Sequence, residues 1–295
     1  MNSEHDLENR LLLEGILEKY GYDFRGYAEA SLSRRIQATL AKFQIEDSIM
    51  LLRKILREPE FFNRVLSYLT VTTSEMFRDP EFFKALRTDV IPTLRTYPTI
   101  NFWIAGCSTG EEVYSLAILL KEEGLFDRSV IYATDINPRA LKSAKDGIFS
   151  IESMKQHTRN YQESGGRELF HSYYTADYGL AKMDSELTTN VVFSEHNLVH
   201  DSVFAECHMI LCRNVLIYFN RDLQTHVFEL FEQSLCYGGF LGLGSKENLR
   251  FSQIAPCFDN FNERWRVYRR NRATLPPSEF STRSRPSATF GRSIK

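Results

Sequence analysis

A short stretch between residues 106 and 112 brings two glycines next to two carboxylates. Gly106 and Gly110 allow a tight turn and a close approach of the backbone to a ligand. Glu111 and Glu112 follow where a helix is expected to begin. A phosphate-binding loop carries bare N–H groups and a lysine or hydroxyl at this point, and two carboxylates there would repel a pyrophosphate. The stretch therefore predicts a site for a nucleotide-like ligand that is neutral or cationic.

A third carboxylate, Asp135, ends an apolar run that begins at Val130. At the end of the second strand of a nucleotide-binding sheet, a carboxylate can accept hydrogen bonds from both hydroxyls of a ribose. S-adenosylmethionine carries a ribose, an ammonium and a sulfonium but no phosphate, so it fits both features. A plain strand-to-helix turn explains the same residues, since acids are favoured at a helix N-terminus and Asp135 or Asn137 can cap the helix expected over 138–145. The two interpretations can hold together, because they use different residues.

The elements that must position these side chains fall into two parts. Apolar residues recur at helical spacing from residue 7 to residue 94, which predicts an all-α domain. Strand and helix patterns alternate over 95–270, which is typical of the α/β class with a parallel sheet covered on both faces. Residues 167–183 contain three tyrosines and a glycine and interrupt the alternation, so we expect an inserted hairpin there. Residues 271–295 combine prolines with arginines, serines and threonines and are predicted to form a disordered basic tail.

The composition limits the classes of function. The 295 residues carry a net charge of −2, so nucleic-acid binding is not expected. Five cysteines without a C-x-x-C pair favour a reducing compartment and predict neither a disulfide framework nor a metal site. The sequence has no signal-peptide pattern and no apolar run near the roughly 20 residues that span a bilayer. We therefore expect a cytoplasmic protein without membrane insertion.

Four local signatures together resemble the CheR-type chemotaxis receptor glutamate methyltransferases. They are Thr-Thr-Ser-Glu-Met-Phe-Arg-Asp-Pro at 72–80, Trp-Ile-Ala-Gly-Cys-Ser-Thr-Gly-Glu-Glu at 103–112, Ala-Thr-Asp-Ile-Asn at 133–137 and Leu-Cys-Arg-Asn-Val-Leu-Ile-Tyr-Phe at 211–219. The first and last are quite specific for this family, whereas the middle two indicate only an S-adenosylmethionine-dependent methyltransferase. The resemblance covers nearly all of residues 11–270.

The resemblance implies a Rossmann-like methyltransferase sheet with a small inserted antiparallel β-subdomain, preceded by an all-α N-terminal domain. The implied reaction transfers methyl from S-adenosylmethionine to glutamate side chains of methyl-accepting chemotaxis proteins, giving glutamate methyl ester and S-adenosylhomocysteine. Two positions depart from the usual pattern, since the family commonly has Asn where Thr72 stands and Thr where Ser74 stands. The residues implied to contact the cofactor are Thr72, Ser74, Arg78, Gly106, Glu111, Asp135, Asn197, Leu198, Cys212 and Arg213.

Arg78 and Tyr218 are the candidates for catalysis. A glutamate carboxylate is already ionised at neutral pH and needs no general base, so the protein has to align and desolvate it. Arg78 can fork onto a carboxylate, and this carboxylate belongs either to the substrate or to the cofactor. Tyr218 can orient the substrate through its hydroxyl, although the apolar residues around it also suit a core aromatic.

The implied partners are the signalling helices of methyl-accepting chemotaxis proteins. Arg25, Arg34, Arg35 and Lys42 form a basic face that either docks such a helix or is simply solvated. Some relatives bind the receptor tail peptide on the inserted subdomain beside a glycine-rich turn, and because this chain has one glycine in 173–179 we expect no such tether. Two alternative functions stay open: a methyltransferase of the same fold with a non-receptor substrate, and a non-catalytic cofactor-binding signalling module.

Overall fold

Helices with apolar faces build the N-terminal part of the chain. The structure is a computed structural model that describes residues 3–250 and 252–273. Its first helices are α1 (Ser3–Tyr20), α2 (Glu29–Phe43), α3 (Ser48–Arg57) and α4 (Pro59–Leu69). Asp47 caps α3 by accepting a hydrogen bond from the Met50 N–H, and Pro59 opens α4, where its missing N–H costs nothing. The shared core of these helices includes Leu12, Ile16, Leu51, Ile55, Phe62 and Leu66.

A second helical stretch connects this part to the sheet. It consists of α5 (Pro80–Ala85), a π-helical turn (Leu86–Val90) and α6 (Ile91–Leu94). Phe82, Phe83 and Leu86 are buried in the main core. The elements that follow are β1 (Ile100–Ala105), α7 (Glu111–Glu122), β2 (Ser129–Asp135), α8 (Pro138–Asp146), β3 (Ile148–Ser150), α9 (Ile151–Glu163), β4 (Tyr174–Asp177), β5 (Leu180–Met183), β6 (Val191–Glu195), β7 (Cys207–Cys212), α10 (Arg221–Ser234), β8 (Leu235–Leu243), β9 (Phe258–Asn262) and β10 (Val267–Arg270).

The main sheet has seven strands in the order β6-β2-β1-β7-β8-β10-β9. The strands from β6 to β8 run parallel, whereas β10 is antiparallel to both β8 and β9. The chain builds outward from β1 to β2 and β6, and then returns to place β7 on the other side of β1. Such a reversal leaves a crevice at the carboxyl ends of β1 and β7, where ligands of open α/β sheets bind.

A smaller antiparallel sheet has the strand order β3-β5-β4. Its β4–β5 hairpin turns at Tyr178 and Gly179, which both have positive φ, 47° and 77°. The hairpin lies within the predicted segment 167–183, but its neighbour β3 comes from earlier in the chain. Tyr161 and Tyr173 donate hydrogen bonds to Glu122 of α7, which attaches the small sheet to the main core.

The predicted fold class is confirmed: an α/β methyltransferase sheet with a small antiparallel sheet follows an all-α N-terminal part. The strands β3 and β9 were not expected, since each has five residues or fewer and neither shows a long apolar run. Among the described residues no helix is long and apolar enough to cross a membrane. Of the predicted tail, residues 274–295 lie outside the described residues, while the Asn271 N–H donates to the Cys257 carbonyl.

Candidate active site

One cavity opens at the carboxyl ends of β1, β2 and β7. Its volume is about 980 Å³, including the part that is open to solvent. The N-terminal helices, the strand ends and the loop after β7 all contribute to its wall. Eight of the predicted site residues line it: Ser74, Arg78, Gly106, Asp135, Asn197, Leu198, Arg213 and Tyr218.

The glycine turn after β1 forms one wall of the cavity. The N–H groups of Gly106 and Cys107 both donate to the Thr134 carbonyl at 2.8 Å, which holds the turn against the end of β2. Gly106 has φ 80°, and Gly110, which precedes α7, has φ 98°. A Cβ on Gly110 would lie 2.9 Å from the Cα of Ala144, so glycine is needed there both for its φ and for the close approach of α8.

Asp135 stands at the end of β2 as predicted. Its Oδ2 accepts from the Ser108 N–H at 2.8 Å, and its Oδ1 accepts from the Asn137 N–H at 2.9 Å. Burial raises the pKa of this carboxyl, whereas its backbone hydrogen bonds lower it. The N-cap role falls to Asn137, whose side chain accepts from the N–H groups of Arg139 and Ala140. The carboxylate therefore both orders the glycine turn and faces the cavity.

The two glutamates at the start of α7 have different surroundings. Glu112 lines the cavity, and its Oε2 accepts from Arg213 at 2.8 Å. Glu111 is buried behind the wall, where its carboxylate accepts from the Thr109 hydroxyl at 2.7 and 2.9 Å. Burial raises the pKa of Glu111, and hydrogen bonds from Thr109 and Ser74 oppose this rise. Glu112 therefore lines the cavity directly, Glu111 lies just behind it next to Ser74, and a contact of Glu111 with the cofactor stays a prediction.

Arg78 projects from a strained segment. The residues on either side of it, Phe77 and Asp79, have φ 52° and 56°. Arg213 holds this segment in place, since its Nη2 donates to the Arg78 carbonyl at 3.1 Å and to Asp79 Oδ2 at 2.6 Å. Arg78 lines the cavity, and its side chain forms no hydrogen bond or ion pair with any described residue. Backbone strain of this kind is maintained where the surrounding structure requires it, and it is common at functional sites.

The loop after β7 carries Tyr218 and Asn214 to the cavity. Asn214 has φ 61°, and its Oδ1 is buried without a partner among the described residues. Glu247 accepts hydrogen bonds from the backbone N–H groups of Asn214 and Ile217. Gln224 of α10 donates to the carbonyls of Leu216 and Phe219, at 2.9 and 3.0 Å. The loop is therefore fixed from two sides.

The N-terminal helices reach into the same site through Arg35. This residue of α2 is 8% exposed, and its guanidinium carbon lies 4.2 Å from the centroid of the Tyr218 ring. Its Nη1 donates to the Leu69 carbonyl at 2.7 Å, whereas its Nη2 is buried without a partner among the described residues. The Ala28 N–H donates to the Tyr218 carbonyl at 2.8 Å. Helix α2 and the Tyr218 loop are thus in direct contact.

The burial of Arg35 corrects its predicted place on the basic docking face, because a buried side chain does not belong to a solvent-exposed surface. Arg34 and Lys42 are exposed on α2 as expected. Arg25 forms an ion pair with Asp23 at 2.7 Å.

Two other predicted contacts lie away from the cavity wall. Cys212 is fully buried in the core beneath the wall, and its neighbour Arg213 lines the cavity instead. Thr72 does not line the cavity either, whereas Thr73 does. The opposite end of the cavity is closed by Asn197 and the buried Leu198.

Several buried polar atoms on the wall have no partner among the described residues. They are Ser108 Oγ, His196 Nδ1, Asn214 Oδ1, Arg35 Nη2 and Arg213 Nε. Leaving such groups unpaired costs about 1–3 kcal/mol each, so a polar ligand is expected to pair with them. Together with an acid at the end of β2 and a half-apolar wall, this donor and acceptor set fits a nucleoside with an amino-acid tail. No group of three or more His, Cys, Asp or Glu side chains placed to hold a metal occurs in residues 3–250 and 252–273.

Comparison with known proteins agrees with this geometry. Two family models match, the CheR methyltransferase all-alpha domain over residues 8–70 and the CheR methyltransferase SAM binding domain over residues 72–266. The chain is 53% identical over 273 residues, 92% of its own length and 100% of the relative's, to a Pseudomonas putida protein named "Putative methyltransferase Cher3".

Two more distant relatives carry a chemotaxis name. A Listeria innocua "Chemotaxis protein methyltransferase" is 28% identical, over 78% of this chain and 85% of its own. A Pseudomonas aeruginosa "Chemotaxis protein methyltransferase 2" is 32% identical, over 65% of this chain and 69% of its own. The chain belongs to the CheR methyltransferase family, and its cofactor is S-adenosylmethionine.

Proposed function

We propose that this protein esterifies glutamate side chains on the signalling helices of methyl-accepting chemotaxis receptors. The observation that carries the proposal is a pair of uncompensated arginines, Arg78 and Arg35, on the wall of one cavity. The reaction brings two carboxylates into that cavity, one from the amino-acid end of the cofactor and one from the substrate. The third arginine of the wall, Arg213, is already neutralised by Asp79 and Glu112.

The substrate needs no proton removed. A glutamate side chain has an ordinary pKa of about 4.3 and is ionised at neutral pH. The cofactor supplies a methyl group on a sulfonium, which is a good leaving group. The protein therefore has to exclude water from the carboxylate and align its oxygen with the methyl, and both tasks are achieved by rigid positioning.

We assign the two arginines to different carboxylates. Arg78 lies on the segment that Arg213 ties to Glu112 at the start of α7, so it is placed for the amino-acid end of the cofactor. Arg35 stacks on Tyr218 and has a free, buried Nη2, so it suits the substrate carboxylate. Of the two carboxylates that the sequence left open for Arg78, this assignment takes that of the cofactor. Tyr218 keeps its predicted role of orienting the substrate oxygen through its hydroxyl.

The remaining contacts with the cofactor follow from the same wall. Asp135 would accept from the ribose hydroxyls, and Asn197 and Leu198 would flank the adenine. The unpaired Oγ of Ser108 and Oδ1 of Asn214 supply further polar contacts.

Docking of the receptor helix is proposed for the exposed face of α2 next to the cavity. Arg34 and Lys42 offer positive charge there, while Arg35 lies beneath them and reaches the site. Such a face would attract an acidic helix and speed its encounter more than it would tighten the final complex.

We propose in addition that no tail-peptide tether is needed, and calorimetry that gives micromolar binding of a receptor tail peptide would contradict this.

The test is methyl transfer from labelled S-adenosylmethionine to a purified receptor signalling domain. We expect label that is released by mild alkali, as a carboxylate ester requires. The matched control is the same receptor domain with its accepting glutamates replaced by alanine, which should take up none. Labelling of another substrate while the receptor domain stays unlabelled would favour a same-fold methyltransferase, and cofactor binding without any transfer would favour a signalling module.

A further inference from the structure

The carboxylate of Glu247 lies beneath the Tyr218 loop and outside the predicted site. Its side chain is buried, with 5% of the residue exposed. Oε2 accepts from the N–H groups of Asn214 at 2.9 Å and of Gly244 at 2.7 Å, and Oε1 accepts from the Ile217 N–H at 3.3 Å. One side chain thus joins the end of β8 to both halves of the loop that follows β7.

These contacts require a carboxylate rather than an amide. All the hydrogen bonds to Glu247 come from backbone N–H donors, and an ionised carboxylate is acceptor-only at both oxygens. In Glu247→Gln the amide oxygen can still accept from Asn214 and Gly244, but the NH₂ group would then face the Ile217 N–H. Burial raises the pKa of Glu247, while its hydrogen bonds from the backbone lower it. A buried carboxylate is tolerated where it is hydrogen-bonded, and here the Asn214 and Ile217 donors belong to the loop while the Gly244 donor follows β8.

Glu247 holds this loop through its N–H groups, whereas Gln224 of α10 holds it through the carbonyls of Leu216 and Phe219. Asn214 is held at φ 61°, a region that is uncommon for residues other than glycine. Ile217, the residue that Oε1 anchors, immediately precedes Tyr218. A shift of about 1 Å in a reacting group can cost about 100-fold in rate.

From this geometry we propose that Glu247 is a positioning residue for methyl transfer: it fixes the backbone from Asn214 to Ile217 so that the Tyr218 hydroxyl meets the substrate carboxylate. The inference rests on the proposed function, because it assigns Glu247 to that reaction. It predicts a defect in turnover that is transmitted through Tyr218, with cofactor binding and the fold largely kept.

A double-mutant cycle tests this coupling. The variants are Glu247→Gln, Tyr218→Phe and the pair, with Glu263→Gln as a matched control in the exposed turn between β9 and β10. We expect Glu247→Gln to lower kcat by about 100-fold while the cofactor Kd changes by less than about threefold. In the Tyr218→Phe background the same substitution should cost less than about threefold. Glu263→Gln should behave like the parent.

The outcomes separate the inference from the function on which it rests. If the parent methylates the receptor but the two losses multiply in the double variant, Glu247 acts independently of Tyr218 and the inference is wrong alone. The same conclusion follows if Tyr218→Phe has no effect. If the parent transfers no methyl to the receptor, the proposed function fails and the inference fails with it.

A second variant covers the case in which Glu247→Gln does not fold. Gln224→Met removes the two side-chain hydrogen bonds that hold the same loop from α10, and Gln224 is only partly buried. We expect a smaller loss of kcat than for Glu247→Gln, again absent in the Tyr218→Phe background. A loss that is unchanged in that background would overturn the inference.

Discussion

Replacing Arg35 with methionine should separate catalysis from folding. Methionine keeps the length of the stem but removes the hydrogen bond to the Leu69 carbonyl, worth about 1.5–3 kcal/mol, and the stacking on Tyr218, worth about 2 kcal/mol. It also removes the buried Nη2 that has no partner among the described residues, which returns about 1–3 kcal/mol. The net cost in free energy of unfolding is about 2 kcal/mol, a fall in Tm of roughly 4–8 °C.

In free energy, the loss of turnover should be at least as large as the loss of stability. If Arg35 pairs with the substrate carboxylate, its loss leaves that charge unpaired in a closed site, at a cost of about 2 kcal/mol or more. This corresponds to a fall in kcat/KM of at least about 30-fold. Calorimetry should show that the Kd for S-adenosylmethionine changes by less than about threefold, because Arg78 is intact.

The control for Arg35→Met is Arg64→Met. Arg64 also lies over an aromatic ring, 5.0 Å from the centroid of Phe61, but it is exposed and away from the cavity. This control should lose a little stability and no turnover. The reasoning is refuted if Arg35→Met methylates the receptor within about threefold of the parent, or if its cofactor affinity falls as far as its turnover.

Three further substitutions test other parts of the site. Arg78→Lys replaces a planar guanidinium with a point charge and should weaken S-adenosylmethionine binding about tenfold in calorimetry. Unchanged binding together with lost turnover would show that Arg78 binds the substrate carboxylate instead. Glu111→Gln tests the raised pKa of the Glu111 carboxyl. Because this carboxyl keeps its proton to higher pH in the folded protein than in the unfolded chain, the Tm of the parent should fall relative to that of the variant as the pH rises above about 4.5. Tm profiles of parent and variant that run parallel with pH would contradict this. Gly110→Ala should lower the free energy of unfolding, measured with denaturant, by about 2–5 kcal/mol, because it combines φ 98° with a 2.9 Å contact of the new Cβ with Ala144. The control Gly124→Ala, at φ 65° with open space around it, should lower it by about 1–2 kcal/mol. Equal losses for the two variants would show that the contact with Ala144 relaxes.

Eight of the predicted site residues line the cavity, and two of them could be placed from the apolar pattern of the strands alone, whereas the other six came from the family resemblance. Gly106 and Asp135 stand at the ends of β1 and β2, and carboxyl ends of parallel strands meet at one edge of a sheet. Which of Glu111 and Glu112 lines the cavity could not be predicted in this way. It depends on the rotation of α7 about its axis, which its packing against the sheet determines.

Arg35 shows a signal that was present in the sequence and was missed. Leu32, Ile36 and Leu40 recur at a spacing of four, and Arg35 lies on the same face of α2, three residues after Leu32. The basic neighbours Arg34 and Lys42 suggested an exposed charged face instead. Glu247 left no comparable signal, because its partners are backbone N–H groups of a distant loop, and such contacts have no pattern in sequence.

The most direct test of the account locates the transferred methyl group. Tandem mass spectrometry of a receptor signalling domain, after incubation with the protein and S-adenosylmethionine, should find methyl esters on glutamate side chains that disappear on treatment with alkali. Arg35→Met and Tyr218→Phe should yield far less ester in the same time, with the cofactor still bound. Methyl groups that resist alkali on another side chain, or none on the receptor under conditions where the cofactor binds, would contradict the assignment of this cavity to glutamate esterification.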